Sequence, residues 1–268
     1  MQLSELFSGI IESKYDDHDV FDITSSIQDV KFGVLFFCFT GSNVQTAIDL
    51  GAIAVVCPCA HSSFLSDNSK IIYHNNPRGI YHILCSRFYH NKQPAFVSAV
   101  TGTNGKTSVV ELCRQLWSLI GYNSASMGTI GTSYITKNEK NIIKGSQLTT
   151  PDAAYIHKQM STLYDKNINH LCIEASSHGI SQFRLDSVTI STAAFTNLSQ
   201  DHLDYHNSME NYFIAKKRLF NQMLQSGGTA VINLDAPYSN KLINILKKRK
   251  CRIITYGVHN LSEIKLIS

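Results

Sequence analysis

Short unbroken apolar runs alternate along this chain with longer stretches whose apolar residues recur at three- and four-residue spacing. The runs include Val34 to Phe39, Ile53 to Cys57, Ile71 to Tyr73, Phe96 to Val100, Leu171 to Glu174, Ala193 to Thr196, Thr229 to Asn233 and Arg252 to Tyr256. Runs this short, ended by Gly, Pro, Asn or Asp, predict strands buried on both faces. Between them the spacing predicts helices. One is a short helix over Ala47 to Ala52, closed by Gly51. A second runs from Pro77 through Tyr89, with proline at its first position. A third begins after Lys106 with Val109, Val110, Leu112, Leu116 and Leu119 as its apolar positions. A fourth spans Asn207 to Leu224, with Asn207 and Glu210 in capping-box positions, and a fifth Pro237 to Lys248. Strand and helix in alternation predict an α/β protein with parallel strands and helices on both faces, its ligands gathered at the carboxyl ends of the strands.

The polar, proline-containing Asn91-Lys92-Gln93-Pro94 is the expected boundary between a small α/β domain (residues 1–92) and a larger doubly wound domain (residues 93–268). A length of 268 residues with 43% apolar composition supports two cores. Charged residues make up only 16% and the net charge is +4, with Lys247-Lys248-Arg249-Lys250 read as a solvated helix end. That is a poor case for nucleic acid, and no nucleic-acid partner is expected. Seven dispersed cysteines without a CxxC pair read as reduced core residues of a cytoplasmic protein. No signal peptide is read at Met1 to Lys14, and no apolar window is long enough for a membrane span. Leu261 to Ser268 starts an apolar pattern without completing a unit, so the larger domain is expected to be incomplete at its C-terminal end.

Candidate chemistry follows the predicted strands. Thr101-Gly102-Thr103-Asn104-Gly105-Lys106-Thr107-Ser108 lies between a strand and a helix, the context of a phosphate-binding loop. The glycines let backbone N–H groups face an anion, and the helix N-terminus adds its dipole. Lys106 would reach the outer phosphates of a nucleoside triphosphate, and the Thr107 hydroxyl would ligate Mg²⁺. Val100 stands where the generic motif has its first glycine, so the loop is a variant. Glu174, at a strand end before Ala175-Ser176-Ser177-His178-Gly179, could hold a metal or a metal-bound water, or the segment could simply be a helix-capping turn. His202 and His206 would suit zinc if helical, but no glutamate follows His202 and no cysteine is near, so zinc is disfavoured against a structural or magnesium-accessory role. Lys216 shares a helix face with Tyr212 and Phe220, an unusual place for a lysine. Thr149 and Thr150 offer hydroxyls before a helix, and Ser176, Gln182 and Arg184 could gather around an anionic substrate.

Taken in order and spacing, TGTNGKTS, QLTTPD, EASSHGISQFR, TNLSQDHLDYH and YFIAKKRLF resemble the Mur ligases, most nearly the MurE type. The match is dense from Pro94 to Phe220 and looser to Gly257. The resemblance implies an N-terminal UDP-muramoyl-substrate domain and a central ATP-binding domain. It also implies an ATP-dependent amide ligase of peptidoglycan synthesis that joins a diamino acid, diaminopimelate being the commoner in the family, to UDP-MurNAc-L-Ala-D-Glu. By position, Thr107 and Glu174 match the family's first magnesium site and His202 a ligand of the second. Lys216 matches the lysine the family carries as a carbamate. Thr149, Thr150, Ser176, Gln182 and Arg184 match its contacts to the muramoyl peptide.

The resemblance departs in three places. The family's uridine-binding Asp-Ser-Arg is Ser26-Ile27-Gln28 here, the loop after Gly41 is shortened, and the third domain that selects the amino acid does not follow. A truncated remnant that binds nucleotide or UDP-muramoyl peptide without joining anything is therefore an alternative. A folylpolyglutamate-type ligase is another, disfavoured by the Thr-Thr-Pro loop and the Ser-Ser-His segment.

Overall fold

A computed structural model describes residues 1–11, 18–59, 68–136, 140–143, 148–258 and 261–267. The chain divides into two compact units, Met1–Lys92 with Ala153–Lys158, and Gln93–Asp152 with Gln159–Ser268.

The first unit contains α1 (Leu3–Phe7), β1 (Asp22–Thr24), β2 (Val34–Phe37), α2 (Val44–Asp49), β3 (Ala54–Pro58), β4 (Ile71–His74) and α3 (Pro77–Phe88). The four strands form a parallel sheet in the order β1-β2-β3-β4. Successive side chains of a strand point to opposite faces, and here both faces are covered. Leu35, Phe37, Ala54 and Val56 pack with Leu6, Phe7 and Leu84. Phe36, Val55 and Cys57 pack with Val44 and Ala47 on the other side. That is why these strands read as unbroken apolar runs. Asn76 caps α3 by accepting from the Gly79 amide, and proline follows it at the first helical position. Ser26-Ile27-Gln28 leads into a single 3₁₀ turn, Ile27–Asp29.

The second unit holds β5 (Phe96–Thr101), α4 (Lys106–Leu119), β6 (Ser124–Gly128), β7 (Gly131–Ile135), β8 (Lys140–Ile143), α5 (Ala153–Asp165), β9 (His170–Glu174) and α6 (Ser177–Ser181). Then come β10 (Ile190–Phe195), α7 (Leu203–His206), α8 (Met209–Arg218), β11 (Leu224–Asn233), α9 (Ser239–Leu246), β12 (Arg252–Gly257) and β13 (Ile264–Lys265). The first turns of α5 belong to the first unit, where Ala153 and Ala154 join its core. The nine strands run in the order β13-β12-β11-β10-β5-β9-β6-β7-β8, with β5 inside the sheet between β10 and β9.

Parallel pairing holds from β13 to β6, but β7 and β8 run antiparallel. The alternation rule did not anticipate this hairpin extension. Only Thr129 and Ile130 separate β6 from β7, too few residues for a crossover helix.

Three local expectations are corrected. On α4, Val110 and Arg114 face the sheet, whereas Leu112, Leu116 and Leu119 are exposed on the far side. The cap of α8 is Ser208, which accepts from the Asn211 amide, because Asn207 adopts a left-handed conformation (φ 64°) and ends α7 instead. Helix α9 begins at Ser239, since Tyr238 is also left-handed (φ 69°) and Pro237 therefore lies outside it.

Candidate active site

Register sets the site. Val100 pairs with Glu174 and Thr101 with Phe195, so β5, β9 and β10 end level with one another. The loop Thr101–Thr107, Glu174 and the segment from Thr196 to His206 consequently meet at one edge of the sheet, all within the second unit.

Two glycines shape the loop. A Cβ on Gly102 would stand 1.9 Å from Thr196 Oγ1, so only glycine lets the loop lie this close to the β10 end. Gly105, at φ 83°, precedes the first turn of α4, and a Cβ there would meet nothing within 4 Å. The space in front of the helix N-terminus is open. Lys106 Nζ folds back on the loop, donating to Gly102 O (3.1 Å) and Thr103 O (2.8 Å). Burial holds its pKa below the usual lysine range, against the pull of Glu174 and Asp201. Ser108 is exposed on the first turn of α4, and the buried Thr101 hydroxyl has no partner among the described residues.

The Thr107 hydroxyl donates to Glu174 Oε2 at 2.9 Å, while Glu174 Oε1 accepts from the Thr129 amide at 2.8 Å. Glu174 is buried. A cavity of about 10 Å³ lined by Thr107, Gly128 and Glu174 lies beside this pair, room for one water-sized group. A hydroxyl and a carboxylate, both hard oxygen donors next to a loop suited to phosphate, fit Mg²⁺, which takes few protein ligands and completes its shell with phosphate oxygens and water. Among the described residues no three His, Cys, Asp or Glu side chains gather as a metal cage.

Lys216 is 1% exposed, on the inward face of α8 with Tyr212, and Phe220 is buried in the π-helical turn Leu219–Met223 that follows. Its Nζ donates to Gly102 O at 2.8 Å and lies 4.3 Å from the centre of the Tyr212 ring. Burial, and next the charge of Lys106, push its pKa down to about 7. The histidines gather round the same tyrosine. His206 and His202 lie 5.1 and 6.3 Å from Tyr212 by ring centres, and His178 lies 4.7 Å from His202. His202 is half-exposed and left-handed (φ 51°), so it precedes α7 and does not share a helix with His206. Burial, then the neighbouring His178, push the pKa of His206 down to about 4 and keep its ring neutral.

The expected substrate contacts also come together. Thr150 Oγ1 donates to Glu174 O and lies 2.9 Å from Ser176 Oγ, and Arg184 donates to Thr150 O and to Gln182 Oε1. Ser176 doubles as the cap of α6. Thr149, which precedes Thr150, is the member of this set for which the described contacts give no partner. Sequence reasoning missed Thr129 and Asn197. Thr129 carried no signal, because its role is an amide aimed at Glu174. Asn197 sits where a β-strand ends beside the loop, and that placement was its signal.

The model of the Mur ligase middle domain matches residues 100–266 of this chain. The chain belongs to the Mur ligase family. It is 45% identical over 247 residues to the UDP-N-acetylmuramoyl-L-alanyl-D-glutamate--2,6-diaminopimelate ligase of Anaplasma marginale, covering 91% of this chain and 51% of that one. With the enzyme of the same name from Zymomonas mobilis it shares 38% identity over 263 residues, covering 96% of this chain and 52% of the other. A solved structure of a ligase of that name superposes with a TM-score of 0.82 at 27% identity, over 98% of this chain and 54% of that one. This Mur ligase chain thus spans about half the length of the curated relatives it matches. Among its described residues no helix is long and apolar enough to cross a membrane.

Proposed function

We propose that this chain supplies the ATP-handling site of a MurE-type ligase that joins diaminopimelate to UDP-MurNAc-L-Ala-D-Glu in the cytoplasm. The reading rests on one observation above all: Lys106, Lys216 and the Thr107–Glu174 pair converge on a single glycine loop at the ends of β5 and β9. The names of the relatives support the substrates. In this reading, residues 1–92 form the UDP-muramoyl domain and residues 93–268 the central ATP-binding domain.

The reaction has two parts. The terminal D-Glu carboxylate attacks the γ-phosphorus of ATP, the bond to the β–γ bridging oxygen breaks, and ADP leaves. The diamino acid's amine then attacks the acyl phosphate, losing a proton as the amide forms and inorganic phosphate departs. Most of the catalysis is positioning and charge neutralisation. Lys106 would swing from the loop carbonyls onto the outer phosphates, and the first-turn amides of α4, which lack intrahelical acceptors, would face them. Thr107 and Glu174 would hold one Mg²⁺ and His202 a second, and bound magnesium would supply charge neutralisation at the transferring phosphoryl group. Lys216 suits carbamate formation because its depressed pKa leaves much of the amine neutral near neutral pH. As a carbamate it would change from cation to anion against the Tyr212 ring, round which the histidines gather. Thr149, Thr150, Ser176, Gln182 and Arg184 would bind the muramoyl peptide, Arg184 through its planar fork.

The test supplies ATP, Mg²⁺, bicarbonate and UDP-MurNAc-L-Ala-D-Glu with diaminopimelate or lysine, read by mass spectrometry, with substrate binding measured alongside. A diaminopimelate tripeptide is the expected product of the complete ligase. Substrate binding without product in this 268-residue chain favours the non-joining remnant. Absence of both overturns the proposal.

A further inference from the structure

The loop Thr101–Thr107 is held in shape largely from outside itself. Val100 occupies the place of the generic first glycine, and Thr101, Thr103 and Asn104 of the loop are hydrogen-bonded to the segment after β10. The carboxamide of Asn197 accepts from the Asn104 amide at 2.9 Å and donates to Asn104 O at 3.1 Å, as a neighbouring peptide group would. The backbone oxygen of Asn197 accepts from the Thr103 amide at 3.1 Å. Thr196 Oγ1 donates to Asn104 O at 2.7 Å, and Thr103 Oγ1 accepts from the Ser199 amide at 3.0 Å. Both backbone groups of Asn104 are therefore engaged from outside the loop.

We infer that Asn197 is a positioning residue that holds the phosphate loop in its nucleotide-ready turn, an inference that rests on the proposed ATP site. With the Asn104 amide committed to Asn197, the loop presents to an anion the amides that follow Gly105, at the start of α4. A loop already fixed in this turn gives up little conformational entropy when triphosphate enters, and preorganisation of this kind appears as affinity. Asn197 also leads within five residues to Asp201 and His202. The clamp thus joins the phosphate loop to the histidine segment, so that phosphate and metal positions are set together. Asn197 touches no reacting atom in this arrangement and acts only through the loop.

The experiment compares the full chain with Asn197→Ala and Asn197→Asp. It reads backbone hydrogen exchange at Asn104, and affinity for Mg²⁺-ATP, inorganic tripolyphosphate and UDP-MurNAc-L-Ala-D-Glu. Loss of two hydrogen bonds should speed Asn104 exchange and weaken both polyphosphates by about tenfold or more in Asn197→Ala, with the muramoyl substrate bound as before. In Asn197→Asp one carboxylate oxygen still accepts from Asn104, so exchange protection should persist while polyphosphate affinity falls. This second variant decides the matter if the alanine variant does not fold. Wild-type exchange and wild-type polyphosphate affinity in either folded variant overturn the clamp, as does equal weakening of the muramoyl substrate. A wild-type chain that binds neither polyphosphate overturns the ATP-site reading instead, and exchange at Asn104 then still decides the clamp.

Discussion

Lys106 and Lys216 donate to the same acceptor, the carbonyl oxygen of Gly102, at 3.1 and 2.8 Å. Two ammonium groups this close in a buried setting repel, and each is also desolvated; Lys216, the more buried, yields first. In the proposed ATP site this difference would keep Lys106 as the cation for phosphate and leave Lys216 as the amine that reacts with carbon dioxide.

Carbamate formation consumes the neutral amine and releases one proton, R–NH₂ + CO₂ giving R–NH–COO⁻. Incubation with ¹³C-bicarbonate at pH 8 should give a carbamate carbon signal in the wild-type chain and none at this position in Lys216→Gln. In the complete ligase, Lys216→Gln should lower activity in a way that bicarbonate does not restore. A wild-type chain without the signal, or a fully active variant, removes the carbamate from the mechanism.

Lys106→Ala should weaken Mg²⁺-ATP binding about a hundredfold, since charge-assisted hydrogen bonds to phosphate are among the strong ones. The fold should survive, because among the described residues Nζ is hydrogen-bonded to loop carbonyls alone. Calorimetric titration measures the loss, and unchanged affinity would remove the phosphate-loop assignment.

Gly128→Ala probes the Thr107–Glu174 pair without replacing either residue. The new Cβ would lie 2.2 Å from Glu174 Oε1, and that carboxylate is fastened by Thr107 and the Thr129 amide, so it must give way. The magnesium concentration needed for half-maximal ATP binding should rise several-fold, and the melting temperature should fall by a few degrees as the buried carboxylate is displaced. A chain indifferent to the added methyl group would place the metal elsewhere.

His157 supplies a pH dependence of stability. Its ring is 2% exposed, its Nε2 has no partner among the described residues, and burial with nearby His82 pushes its pKa from 6.5 down to about 4. The unfolded chain binds a proton in this window that the folded chain refuses, so stability falls as pH drops from about 6.5 towards 4. The full loss is on the order of 3 kcal/mol. Urea titrations at pH 7 and pH 4.5 should show it, and His157→Leu should reduce the difference, leaving the part that His206, shifted in the same direction, contributes. A pH difference as large in the leucine variant as in the wild type would assign the effect to other groups.

Much of this arrangement was legible in the chain, because its signals are local. The two-sided burial of β2, β3, β5 and β9 appears as apolar runs, and the strand–loop–helix around Gly105-Lys106-Thr107 needs only neighbouring residues. Lys216 stood out because a lysine at helical spacing from Tyr212 and Phe220 must be buried if they are. The caps were less legible. Asn207 and Ser208 both suit a helix cap, and only the left-handed turn at Asn207 gave the position to Ser208.

The sequence by itself determined the alternating α/β architecture, the strand–glycine loop–helix unit and the residue types of the candidate site, because these rest on side-chain period and short-range backbone chemistry. Tertiary structure alone decided that β7 and β8 turn antiparallel and that α4 leaves Leu112, Leu116 and Leu119 in solvent. It also decided that Asn197 answers Asn104 from 93 positions away. Those outcomes depend on which strand lies beside which, and hydrogen bonds between separate strand ends leave no periodic trace in the chain.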